Sequence, residues 1–148
     1  MSKRHIVLHR CATGLAGLWA GILLGLGAIG APAGFAVTTV EIAGRTAGRM
    51  FAIEAYASLA LAVVLLLLTR KLANAQTGQV SALNSYVLLV LGTLFCTIVG
   101  YFVIQPMMAA ARAGEGSLSF GALHSLSAGF FALKGVLVLS LAWRLTAR

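Results

Sequence analysis

The chain is poor in acid, with no aspartate and only three glutamates, Glu41, Glu54 and Glu115. No paired-carboxylate motif can be assembled from them in sequence. HExxH, CxxC and a Gly-rich phosphate loop are also missing, which removes the common signatures of zinc hydrolases, thiol redox proteins and nucleotide-binding enzymes. Cysteine is scarce too: Cys11 opens one apolar stretch, and Cys96 lies inside another. The depth difference is roughly 20 Å at about 1.5 Å per residue, beyond the separation of about 7 Å that a disulfide tolerates. Both cysteines read as small packing residues. Charge is the last shortage. Only 9% of residues are charged, and none lies between Cys11 and Val40.

What the chain does have is long apolar runs. A hydrocarbon core about 30 Å thick is crossed by roughly 20 apolar residues of helix, and four segments reach that length. The first runs from near Cys11 to Gly30, where Pro32 is expected to stop it. The second runs from near Gly48 to Thr69, the third from Leu83 to Gln105 with Pro106 at its end, and the fourth from about Phe120 to Trp143. Alternating polarity of the β-barrel kind is missing, so helices are the spanning form that satisfies the backbone in lipid. The expected fold is all-α, a single transmembrane domain over residues 1–148 with four helices in an antiparallel bundle.

The net charge of +8 would suggest a nucleic-acid partner in a soluble protein. Its placement points instead to the lipid bilayer and to no nucleic acid. Lys3, Arg4 and Arg10 precede the first segment, Arg70 and Lys71 follow the second, and Arg144 and Arg148 close the chain. By the positive-inside rule, both termini and the middle connection are expected in the cytoplasm, with the protein multi-pass in the cell inner membrane. Glu41, Arg45, Arg49, Arg112 and Glu115 fall on the opposite side. A competing reading makes the first segment a signal peptide cleaved near Ala31-Pro32-Ala33. Its apolar stretch is too long for a signal h-region of about 7 to 15 residues, so retention is favoured.

Small residues recur at helical spacing in three segments: Gly17, Gly21 and Gly25; Gly92, Cys96 and Gly100; Gly121, Ser125 and Gly129. Such seams let membrane helices approach closely. Packing inside the bundle is the expected use, and a homo-oligomer seam is the alternative.

Ionisable residues inside the spans are costly and normally face the protein interior. Glu54 in the second segment and His124 and Lys134 in the fourth are of this kind. His124, Ser127, Phe131 and Lys134 follow steps of three and four, as along one seam, while Glu54 shares a face with Ser58. A polar cluster of Glu54, His124, Ser127 and Lys134 is therefore expected, or else a structural ion pair of Glu54 with Lys134 or an arginine. Glu41, Arg45 and Arg49 form an outer-face charged group, either a solvated helix start or an anion contact. Met107 and Met108 with His124 offer thioether and imidazole donors of the kind that suits Cu(I), a candidate metal site. Haem is poorly supported, because His5 and His9 lie at the face opposite His124; no cofactor is expected.

Several stretches carry a resemblance when taken in order. These are Ala31-Pro32-Ala33-Gly34-Phe35, Ala43 to Phe51 (AGRTAGRMF), Gly100-Tyr101 with Gln105-Pro106-Met107-Met108, and Phe120 followed by Leu123-His124-Ser125-Leu126-Ser127. Together they resemble the transmembrane protein 205-like family, whose bacterial members are classed as domain of unknown function 4149. The resemblance implies four membrane helices with the first retained. It points to Arg45, Arg49, Pro106, His124 and Ser127, and it supplies no reaction. The family's animal member is associated with resistance to a platinum drug. Lys134 does not belong to the recurring pattern.

Two functions follow as expectations. One is small-solute or metal and drug stress handling along a path lined by Glu54, His124 and Lys134. The other is a non-catalytic accessory or assembly subunit that docks on itself or on a larger membrane complex. An enzyme is not expected, because only His124 with nearby serines or Glu54 could supply a nucleophile and base.

Overall fold

A computed structural model describes residues 3–77 and 84–147. They form four helices, each long and apolar enough to cross a membrane: α1 (Lys3–Val37), α2 (Val40–Thr77), α3 (Ser85–Arg112) and α4 (Phe120–Thr146). No strand occurs among the described residues. The expected start of the third helix at Leu83 and the charge at Arg148 lie outside them.

Each helix end has a local cause. Thr38 turns extended after α1, and the Thr39 side chain accepts from the Ile42 amide at 3.4 Å to start α2. Asn84 caps α3 by accepting from the Val87 amide at 2.9 Å, and Ser119 caps α4 by accepting from Ala122 at 3.2 Å. Side-chain caps of this kind satisfy the free amides of a first turn. Between α3 and α4 the chain turns through Gly114 and Gly116, both at positive φ, where a side chain would be strained.

Neither proline ends its helix, contrary to the sequence expectation. α1 runs through Pro32 to Val37 and α3 runs through Pro106 to Arg112. Each proline is preceded by a π-helical turn, Gly25–Gly30 in α1 and Ile98–Val103 in α3. A proline removes one amide and crowds the carbonyl four residues back. The wider turn absorbs this locally, so the helix continues past the proline. α2 also starts earlier than expected, at Val40, which brings Glu41 and Arg45 into the helix with Arg49.

α1 packs against α2 and α4, and α3 packs against the same two helices. The order around the bundle is therefore the order along the chain, and α2 faces α4 across the diagonal. Contacts run antiparallel: Thr13 meets Leu145 and Gly27 meets Phe131 between α1 and α4, and Gly92 meets Leu137 between α3 and α4. The core at the end holding the termini is built from Trp19, Leu23, Leu65, Val90, Val138 and Leu141. A smaller apolar cluster, Ile104, Met108 and Leu123, closes the other end.

The three small-residue seams have different fates. The α3 seam packs inward: Gly92 lies on Leu137, Gly100 on Phe130, and Cys96 is buried. On α1, Gly17, Gly21 and Gly25 have nothing within 4 Å of where a side chain would begin, and the same is true of Gly121 and Gly129 on α4. Packing inside the bundle, the expected use, thus holds for α3 alone. α1 instead packs through Ala12, Ala16, Trp19, Ala20 and Leu23.

Candidate functional site

One polar network occupies the bundle interior. Lys134 Nζ of α4 donates to Glu54 Oε2 of α2 at 2.7 Å and to Oε1 at 3.0 Å. The residues are 3% and 4% exposed. Ser58, one helical turn after Glu54, donates to Glu54 Oε1. The Trp19 indole N–H of α1 then donates to Ser58 Oγ at 2.9 Å. Lys134 Nζ also lies 3.5 Å from Ser58 Oγ and 5.2 Å from the centre of the Phe131 ring. Three helices are thus tied through one carboxylate, and the ion pair bridges the diagonal of the bundle.

Depth sets the stakes of this arrangement. Lys134 lies fourteen residues after Phe120 and twelve before Thr146, about 20 Å from either helix end at about 1.5 Å per residue. A lone charge there would be expensive, whereas a close pair with further hydrogen bonds offsets the loss of hydration. Both carboxylate oxygens have partners, and the ammonium is enclosed by the carboxylate, a hydroxyl and an aromatic face.

The aromatic residues on the other side of the pair are placed by the π turns. The Phe131 ring lies against Gly27 in the α1 π turn, and Phe130 lies against Gly100 in the α3 π turn. Phe131 also meets Phe51 edge to face at 5.1 Å, and Phe130 meets Phe95 at 6.1 Å. Ser127 donates to the Gly100 carbonyl at 2.7 Å. In lipid a carbonyl loosened from its helical ladder needs such a partner from a neighbouring helix.

Of the expected polar cluster, Glu54 and Lys134 come together. Ser127 shares their general face but is spent on Gly100. His124 does not join them: it is exposed and stacks on Phe120 with ring centres 5.8 Å apart. Ten residues at about 100° each end about 80° short of three full turns, so His124 and Lys134 point in different directions although their steps look like a single seam. Met107 is exposed and Met108 is buried against Ile104 and Leu123, so the two thioethers diverge. Among the described residues no group of three His, Cys, Asp or Glu side chains is placed to hold a metal ion. Glu41 and Arg45 form an exposed pair at 3.8 Å on the first turns of α2. The Arg112 guanidinium lies 4.4 Å from the centre of the Phe120 ring, tying the end of α3 to the start of α4. Cys11 and Cys96 are free thiols.

Sequence reasoning did not place Trp19 in the network. The available signal was its position, since tryptophan favours the membrane interface and this one sits mid-helix, where its N–H must find an acceptor. Trp19→Phe is expected to keep the packing, lose one hydrogen bond and destabilise the bundle by about 0.5–1.5 kcal/mol. Thermal unfolding in detergent measures this against the parent chain.

Two shallow grooves open on the bundle near the end that holds the termini. One is lined by Leu89, Leu139, Ser140, Trp143 and Arg144, the other by His9, Arg10, Thr13, Gly14, Leu145 and Thr146. Neither is lined by Glu54 or Lys134.

No curated protein and no solved structure matches the chain. A family model described as a domain of unknown function matches residues 14–117, a stretch that holds Trp19, Glu54, Ser58 and both π turns and stops short of His124 and Lys134. With most of the chain matched and four membrane-length helices in the fold, the protein belongs to the DUF4149 family.

Proposed function

We propose that this protein is a non-catalytic accessory or assembly subunit of the bacterial inner membrane, with both termini in the cytoplasm. The observation that carries the reading is the Glu54–Lys134 pair, which is closed, hydrogen-bonded and enclosed by the helices. Its ionisable groups satisfy one another, as expected of a clasp that fixes helix arrangement. The orientation rests on Arg10, Arg70, Lys71 and Arg144, which lie toward one end of the bundle, the pattern of a cytoplasmic face. The partner would be a second copy of the chain or a larger membrane complex.

A second reading, handling of a small solute or drug, draws on the paired π turns. Such turns are frequent at functional sites, and here they widen two opposite helices beside the ion pair. Native mass spectrometry of the protein released gently from its membrane separates the readings. The expected result is a homo-oligomer or a complex with another subunit, unchanged in Glu54→Gln/Lys134→Met. A small bound mass present in the parent and lost in that double variant would overturn the clasp reading in favour of the solute path.

A further inference from the structure

We propose that the groove between α1 and α4, lined by His9, Arg10, Thr13, Gly14, Leu145 and Thr146, binds an anionic phospholipid. Its phosphate would sit at Arg10 and His9, and one acyl chain would lie along the open glycine face of α1.

The first argument is charge balance. The chain has three side-chain carboxylates in all. Glu54 is consumed by Lys134 at mid-depth, while Glu41 and Glu115 lie toward the opposite end of the bundle, at the start of α2 and after α3. The end that carries Lys3, Arg4, Arg10, Arg70, Lys71 and Arg144 therefore has no side-chain carboxylate of its own. Those cations are left without a side-chain counter-charge, which an anion at the membrane surface can supply. At a membrane surface the abundant anion is the lipid phosphate, and basic pockets between helices bind anionic headgroups.

The second argument is the make-up of the groove. Arg10 is exposed, so its guanidinium is free to form paired hydrogen bonds with phosphate oxygens. His9 lines the groove beside Arg10, and its Nε2 is buried with no hydrogen-bond partner within the chain, a polar atom left unsatisfied at the groove wall. The Thr13 hydroxyl is turned to the backbone, donating to the His9 carbonyl at 2.9 Å, and does not compete for that place.

The third argument is the track that leads away from the groove. Gly14 lines it, and Gly14, Gly17, Gly21 and Gly25 all have open space where a side chain would begin. Residues three and four apart share a helix face, so these positions form one open face that runs along α1 from the groove into the membrane. From Gly14 to Gly25 that face is about 16 Å long at about 1.5 Å per residue. That matches one leaflet of a hydrocarbon core about 30 Å thick. A glycine seam that no other helix of the bundle covers thus becomes the bed of an acyl chain beneath a cationic headgroup site.

The test uses the full chain in nanodiscs containing phosphatidylglycerol and phosphatidylcholine, with retained lipid counted by native mass spectrometry after gentle activation. Preferential retention of phosphatidylglycerol is expected, falling about fivefold in Arg10→Gln and falling also in Gly17→Leu, which fills the track and leaves the cations intact. Arg45→Gln, at the other end of the bundle, should change nothing. Circular dichroism confirms that each variant is as helical as the parent. Equal retention of the two lipids, or insensitivity to both Arg10→Gln and Gly17→Leu, would overturn the proposal. So would displacement by glycerol phosphate together with a neutral Gly17→Leu, which would assign the groove to a free phosphate. The oligomeric state plays no part in this readout, so the lipid site and the accessory role fail separately.

Discussion

Lys134→Met alone is expected to destabilise the bundle by about 3–5 kcal/mol, because it strands the Glu54 carboxylate in the interior without its counter-ion. Glu54→Gln should cost a comparable amount by leaving the ammonium without a carboxylate. The double variant Glu54→Gln/Lys134→Met should recover most of that loss, since a buried pair replaced by neutral side chains of similar size is often close to neutral. The measurement is unfolding of all four chains under one detergent condition, read as a double-mutant cycle. Losses that simply add in the double variant would mean that the two charges are not coupled and that the 2.7 Å contact does not govern stability. The two single variants differ in what they leave behind: Glu54→Gln can still accept from Ser58 but strands the ammonium, whereas Lys134→Met removes every donor that the cation supplies across the diagonal.

The second large effect concerns the α3 π turn. Adding one methyl at Gly100 places it 2.6 Å from Phe130 Cβ, well inside van der Waals contact. Because Phe130 Cβ is fixed to its own helix, no side-chain rotation can relieve the clash. Gly100→Ala should therefore push α3 and α4 apart and cost about 1–3 kcal/mol, the usual range for overpacking. Gly17→Ala is the matched control. Its new methyl meets nothing within 4 Å, and replacing glycine inside a helix stabilises by about 0.4–1 kcal/mol. Opposite signs for the same chemical change, measured by thermal unfolding, are the expected outcome. A destabilising Gly17→Ala would show that the α1 face is covered by another chain under the conditions of the assay.

Much of the architecture was legible from hydropathy and charge. The apolar runs fixed the number of helices, because a bilayer imposes a minimum length that few soluble segments reach, and the spacing of Glu54 and Lys134 marked the interior pair as an option. The helix ends were less legible. Pro32 and Pro106 read as terminators, since a proline breaks a helix in isolation; a π turn upstream of each keeps the helix going, and nothing in Gly25–Gly30 or Ile98–Val103 announces such a turn. The facing of the glycine seams was invisible for a different reason. Gly17-Gly21-Gly25 and Gly92-Cys96-Gly100 have the same period, and period alone does not say which side of a helix meets its neighbour. His124 lies off the seam because the steps of three, four and three that separate it from Lys134 sum to ten residues, which at about 100° each is not a whole number of turns and leaves the two side chains about 80° apart. Trp19 and Ser58 completed the network through contacts 39 residues apart, which only the helix order reveals.

The diagonal ion pair also has a consequence for how the chain is made. Glu54 is synthesised 80 residues before Lys134, so a growing chain carries a carboxylate destined for mid-membrane long before its counter-ion exists. Ser58 and Trp19 are already present and can hold the waiting side chain, but the charge is balanced only when the last helix enters. Biogenesis thereby gains an internal check. A product interrupted before Lys134 keeps an unmatched acid among its helices, whereas the completed chain hides it.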